Sequence, residues 1–255
     1  MKKTLFAIMA IAAVMAGFTS CKKSESKKNG GESGDDFKSL ITVDGTFSDW
    51  DNVPATYLVS STCAASPKWT GLKSVKVYAD KVYINVLVEF DESVITDKSY
   101  VPFHVYLNAD NSDATGGDPG QFADPNSEFM LEGAVFSEGA AASYNPAVFH
   151  WGGEVGGVAW AWGDQSVEHS AADNWGADVA EGSGVASSAC TGNKIEIAII
   201  REMIPATFAD TFGIGFDIQQ NWSSAGVLPN ASYASDGTQV LANKLKITID
   251  KTERK

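Results

Sequence analysis

Two stretches of the chain carry side chains whose types and spacing could do chemistry. The first is "YLNADNSDATGGDPGQFADPNSEF", residues 106–129. Asn108, Asp110, Ser112, Asp113, Thr115 and Asp118 offer oxygens there, and Asp124 and Glu128 return toward them from the following segment. Calcium takes about six to eight oxygen ligands and tolerates flexible loops, so Asn108, Asp110, Ser112, Asp113, Asp118 and Asp124 form a candidate Ca²⁺ set. The alternation Asn108–Asp110–Ser112 copies the opening positions of an EF-hand loop. The copy then fails, because Asp113 stands where that loop needs Gly and Pro119 where it needs Glu. The competing expectation is a solvated turn, in which Asn and Asp cap their own backbone and Gly116-Gly117 supply positive φ.

The second stretch is "FHWGGEVGGVAWAWGDQ", residues 149–165. It reads as a hairpin with a Gly-rich turn. Trp160 and Trp162 then point to one face, and Trp151 joins them across the turn if the register allows. Trp175 follows in a long loop, and Trp222 stands beside Gln219, Gln220 and Asn221. Flat indole faces suit the apolar C–H patches of sugar rings, while amides suit their hydroxyls. Trp151, Trp175, Trp222, Gln219, Gln220 and Asn221 are therefore candidate carbohydrate-binding residues. Trp160 and Trp162 fit a core role better, and Trp50 is expected in the core.

Catalytic signatures are missing from the sequence. It holds no H-E-x-x-H, G-x-S-x-G, C-x-x-C or phosphate-cradling glycine motif. Its histidines, His104, His150 and His169, are not paired at metal-ligand spacing. A glycosidase carboxylate pair would be a spatial fact that strand spacing does not establish. The expectation is a protein that binds without catalysing.

Period-two patterning dominates the elements that must position these residues. In "LKSVKVYADKVYINVLVEF", Val75, Val77 and Ala79 alternate, and Val82, Ile84, Val86, Val88 and Phe90 form a second set after a turn near Asp80. Further strands are predicted at Ser39–Val43, Phe103–Asn108, Glu128–Phe136, Ala147–Trp151, Gly157–Trp162, Lys194–Ile200, Phe212–Gln220 and Gln239–Ile249. No window shows a helical stripe, and Pro205 limits "REMIPATFAD" to a turn or two. The fold class expected is all-β: a two-sheet antiparallel β-sandwich, jelly-roll-like, with little helix. Long loops are expected at Ala109–Ser127 and Gly163–Ala189.

The ends and the composition bound the setting. Residues 1–20 read as a lipoprotein signal peptide: Lys2 and Lys3, an apolar run from Leu5 to Gly17, then "FTSC" resembling a lipobox. Cys21 is the expected lipidation site, and residues 21–37, poor in apolar side chains, the expected flexible tether. Residues 38–255 would form a single domain. Lys22 and Lys23 favour the bacterial outer membrane over inner-membrane retention, with the periplasmic or extracellular face left open. Membrane contact is expected through the lipid anchor only. The formal net charge of −13 argues against nucleic acid. The remaining cysteines, Cys63 and Cys190, either form a disulfide in an oxidising compartment or stand as two small buried thiols.

Three phrases appear in order: "ITVDGTFSDWDNVPA", then "VKVYADKVYINVLV", then "NKIEIAIIREMIPATFADTFGIGFDIQQNW". Together they resemble the β-sandwiches of carbohydrate-binding module family 9 and the related DOMON domains, over most of residues 40–250. The resemblance implies a jelly-roll-like domain that binds oligo- or polysaccharide, or haem in some relatives, at one face or rim. A haem would need axial ligands such as His150 with Met130 or Met203. The rival function is a structural or protein-interaction module with an envelope protein as partner.

Overall fold

The computed structural model describes residues 37–65, 68–152, 162–163 and 176–254. Among them run fourteen strands: β1 (Val59–Thr62), β2 (Leu72–Ala79), β3 (Tyr83–Phe90), β4 (Tyr100–Asn108), β5 (Phe129–Ser137), β6 (Ala140–Ala141), β7 (Ala147–His150), β8 (Ala186–Thr191), β9 (Lys194–Ile200), β10 (Thr211–Gln220), β11 (Ser223–Leu228), β12 (Ser232–Tyr233), β13 (Gln239–Val240) and β14 (Leu245–Thr248). The described helix is limited to 3₁₀ turns at Phe47–Asn52 and Arg201–Met203. The fold is an all-β sandwich of antiparallel sheets packed against each other.

One sheet has five strands in the order β1-β2-β3-β9-β8, and the other has seven, built on β11-β10-β4-β5-β6 with β14 beside β10 and β7 beside β5. Alternation decides what each strand buries. Val75, Val77, Ile84, Val86, Ile195 and Ile197 of the smaller sheet meet Phe103, Val105, Leu131, Ile214 and Phe216 of the larger one in a single core. Asp80 shapes the β2–β3 turn, its Oδ1 accepting from the Val82 and Tyr83 amides at 2.9 and 2.8 Å. A short Asp closes this hairpin because its carboxylate replaces the ladder acceptors that the turn removes.

The opening phrase covers the outer face of the five-stranded sheet. Ile41, Trp50 and Val53 pack on Tyr78 and Leu87. Trp50 is buried as expected, and its indole N–H donates to Glu196 Oε1 at 2.7 Å. Glu196 Oε2 accepts from the Asp44 and Gly45 amides at 3.2 and 3.4 Å. Gly45 holds a left-handed φ of 80° that lets both amides face one carboxylate. The "DG…W" phrase and the "NKIEIAII" phrase thus meet through one hydrogen-bonded Glu.

Several expected elements differ. Ser39–Val43 forms no strand; it holds its place by packing Ile41 rather than by a ladder. The expected loop 163–189 runs into β8, whose "ASSACT" lacks an apolar alternation because it is an edge strand paired on one side only. β1 and β11, rich in Ser, escaped the pattern for the same reason. The predicted strand Gln239–Ile249 splits into β13 and β14 where Lys244 turns in to meet Asp124. The predicted strand 157–162 lies almost wholly outside the described residues, as do Cys21, the signal and nearly all of the tether.

Cys63 and Cys190 do not pair with each other. Cys63 follows β1 and Cys190 lies on β8, the opposite edges of the five-stranded sheet. Four strand spacings of about 4.8 Å put them roughly 19 Å apart, and a disulfide requires Cα atoms within about 7 Å. Both thiols lie half-buried against the core instead.

Candidate binding face on the seven-stranded sheet

Alternation on β4 sends Val101, Phe103, Val105 and Leu107 into the sandwich core and leaves Tyr100, His104 and Tyr106 on the opposite face. On β10, Phe212, Ile214, Phe216 and Ile218 point inward, so Gly215, Asp217 and Gln219 point out. The ladder register then aligns side chains from three strands. Asp217 lies opposite His104, and His104 opposite Glu132, giving one polar row across the sheet. One step along, Gly215, Tyr106 and Met130 form an apolar row.

Loop residues pack onto that apolar row. A Cβ on Gly215 would come within 2.3 Å of the Phe122 ring, so the missing side chain is the socket that seats Phe122. Tyr106, Phe122, Met130, Phe149 and Val227 form a second hydrophobic cluster, with Trp69 and Trp162 against it. Trp151 reaches the cluster through Trp162, ring centroids 5.3 Å apart, and the two residues pair as an antiparallel bridge. Trp151 rests on Gly117, where a Cβ would fall 2.1 Å from its ring.

The polar row is almost fully enclosed. His104 is 3% exposed and Asp217 wholly buried. His104 Nε2 lies 2.6 Å from Glu132 Oε2, while Asp217 stands 3.8 Å from Nδ1 and acts on it by charge rather than by a hydrogen bond. Burial alone pushes the imidazole pKa down; Asp217 and Glu132 outweigh it and hold it at about 9. His104 is therefore an imidazolium at neutral pH, held between two carboxylates. Asp217 Oδ2 also gathers Ser224 Oγ at 2.8 Å, Gln219 Nε2 at 3.0 Å and Gln121 Nε2 at 3.5 Å.

At the far end of the face stands Trp222. Asn221 and Trp222, with φ of 50° and 60°, form the two-residue turn between β10 and β11. Two consecutive left-handed residues define a type I′ hairpin, for which Asn is favoured and a bulky side chain is not. The indole is 63% exposed and lies beside Tyr100, itself 41% exposed, with ring centroids 5.5 Å apart.

The expected sugar-binding residues are thus split. Gln219 joins the polar row, Gln220 donates to the Asp97 carbonyl at 2.7 Å, and Asn221 sits exposed in the turn. Trp151 belongs to the aromatic cluster, away from Trp222; Trp175 lies outside the described residues. Sequence reasoning missed His104, Glu132, Asp217, Gln121, Ser224 and Tyr100. A usable signal existed in "FGIGFDIQQ", where Asp217 interrupts an apolar strand that has to be buried.

In the acidic loop the candidate calcium residues make separate contacts. Asp110 accepts from the Ser112 amide at 2.8 Å, Asp118 caps the Gly120 amide at 2.7 Å, and the Asn108 amide donates to the Ser112 carbonyl at 3.1 Å. Asp113 takes the Asn126 amide at 3.3 Å, and Asp124 already faces the Lys244 ammonium at 3.4 Å. Lys246 reaches Asn111 in the same loop. Two ammonium groups thus stand against Asp124 and Asn111, while Asn108 Oδ1 and Asp124 Oδ2 are buried without a partner; among the described residues no three His, Cys, Asp or Glu gather as a metal group. The haem ligands do not gather either. His150 shares a sheet face with Phe129 of the core, whereas Met130 points to the opposite face; His150 instead pairs with Asp178 at 2.8 Å. Met203 packs against the main core.

Comparison of the chain with known protein families, curated proteins and solved structures finds no match.

Proposed function

We propose that the outer face of the seven-stranded sheet binds oligo- or polysaccharide without cleaving it, in a lipoprotein held at the bacterial outer membrane by a lipid on Cys21. The observation that carries this reading is the Tyr100–Trp222 pair. A large aromatic is displayed on a left-handed turn residue, which costs about 1–2 kcal/mol relative to an ordinary backbone, and it does not repay that cost by burial. Such a platform is explained by a ligand that stacks on it. Past this pair the face is closed, His104 and Tyr106 being 3% and 4% exposed beneath the 109–127 loop. A sugar with an apolar ring face therefore meets the Tyr100–Trp222 end. The resemblance to carbohydrate-binding module family 9 points the same way.

The test is intrinsic tryptophan fluorescence and calorimetry with a panel of neutral, amino and acidic oligosaccharides, with and without Ca²⁺. A saturable shift with one glycan class, lost in Trp222→Ala while the melting temperature holds, supports the reading. A folded protein that answers to no glycan overturns it in favour of an envelope-protein partner.

A further inference from the structure

We propose that the cavity beside Arg201, at the end of the sandwich where β10 begins, binds a small monocarboxylate with an apolar body. The site is separate from the Tyr100–Trp222 pair and independent of the carbohydrate reading. β10 starts three residues after Phe208 of the cavity and reaches Trp222 only past its far end.

Arginine is scarce in this chain, which holds two against 32 Asp and Glu. Arg254 binds the buried Asp250 carboxylate. Arg201, half-buried in the 3₁₀ turn after β9, pairs with no carboxylate among the described residues. Its Nη1 donates to the Asp80 carbonyl at 2.7 Å, and its Cζ lies 5.4 Å from the Phe208 ring centroid. Phe208 in turn meets Phe212 of the core edge to face, ring centroids 5.1 Å apart. The guanidinium is therefore oriented before any ligand arrives. Nε is walled in without a partner, so a ligand meets the Nη end, where Nη2 makes no bond to the described residues.

The cavity holds about 200 Å³ and is lined by Lys81, Val82, Arg201, Glu202, Ala206 and Phe208. Pockets for drug-sized ligands start at roughly 300 Å³, so the occupant is small. Burial draws the Arg201 pKa below the ordinary guanidinium value, and the charge of Asp80 offsets only part of that. A planar carboxylate accepts two N–H bonds from a guanidinium and supplies the counter-charge. Val82, Ala206 and Phe208 give the rest of the ligand apolar walls. The surrounding acids limit the ligand to one charge. Glu202 stands exposed on the rim, Glu253 pairs with the Lys81 ammonium, and Asp80 is buried behind. A dianion such as phosphate meets more repulsion there than a carboxylate does.

The experiment is a nuclear magnetic resonance titration of the full chain, in low salt, with butyrate, its neutral isostere butyramide and inorganic phosphate. Butyrate should saturate and shift the Arg201 guanidinium and Phe208 ring signals. Butyramide and phosphate should bind about tenfold more weakly, the measure of one charge-assisted hydrogen bond. Arg201→Gln should weaken butyrate by the same factor. Glu202→Gln removes a like charge from the exposed rim and should tighten butyrate about two- to threefold. Should Arg201→Gln fail to fold, Glu202→Gln carries the test, because a merely apolar crevice would not answer to the charge of its rim. No saturable butyrate binding by the folded protein, equal binding of butyramide, or an affinity unmoved by either substitution would overturn the proposal. Phosphate binding as tightly as butyrate would overturn the carboxylate in favour of a general anion site. A glycan titration that fails leaves these outcomes unchanged, and the reverse holds too.

Discussion

Raising the pH should destabilise this protein through His104. The folded-state pKa of about 9 stands above the ordinary value of 6.5. A raised pKa stabilises the fold fully below pH 6.5, and the contribution disappears as pH climbs through 9. The difference corresponds to about 3 kcal/mol, of which about 2 kcal/mol is lost between pH 7 and pH 9. For a domain of this size that is a fall of about 4–8 °C in melting temperature. The assay is thermal unfolding by circular dichroism across pH 6–9.5 on the wild type and His104→Gln. The variant should be less stable at pH 7 and nearly flat across the window in which the wild type slopes. Nuclear magnetic resonance of the His104 imidazole gives the direct check. An imidazole titrating at or below 6.5, or equal pH slopes in the two proteins, would refute the electrostatic account of the row.

Other expectations follow from single contacts. Gly215→Ala should cost about 1–3 kcal/mol by overpacking, with faster hydrogen exchange in residues 109–127 because Phe122 loses its socket; little change in either would disprove the seating. Glu196→Ala leaves the Asp44, Gly45 and Trp50 donors without their acceptor, so urea unfolding should show a loss of about 2–4 kcal/mol. A reductant should not move the melting temperature, since a bridge closing the 127 residues from Cys63 to Cys190 would be worth about 4–5 kcal/mol and the strand order forbids it.

Fold class was legible because the core strands obey a two-residue period. β3, β4, β9 and β10 sit within a few residues of where "YINVLVEF", "FHVYLN", "KIEIAII" and "FGIGFDIQQ" place them. Three of the strands paired on one side only were not legible. β1, β8 and β11 are rich in Ser and other small residues and carry little apolar alternation to read. The candidate site was legible only in pieces. Trp222 and Gln219 were found from their company in sequence, but Trp222 stands beside Tyr100 and Gln219 beside Asp217 for different reasons.

By itself the sequence determined what each strand could bury, since side chains alternate by covalent geometry, and it determined the acidic, amide-rich and Trp-rich composition of the loops. Tertiary structure alone decided partnership. Ladder register, a long-range property of three strands, set Asp217 against His104 and His104 against Glu132. Sheet order put Cys63 and Cys190 on opposite edges. The return of Lys244 and Lys246 to a loop more than a hundred residues earlier placed ammonium groups where the local sequence offered only oxygens. Local spacing says which face a side chain takes; only the closed sandwich fixes what meets it there.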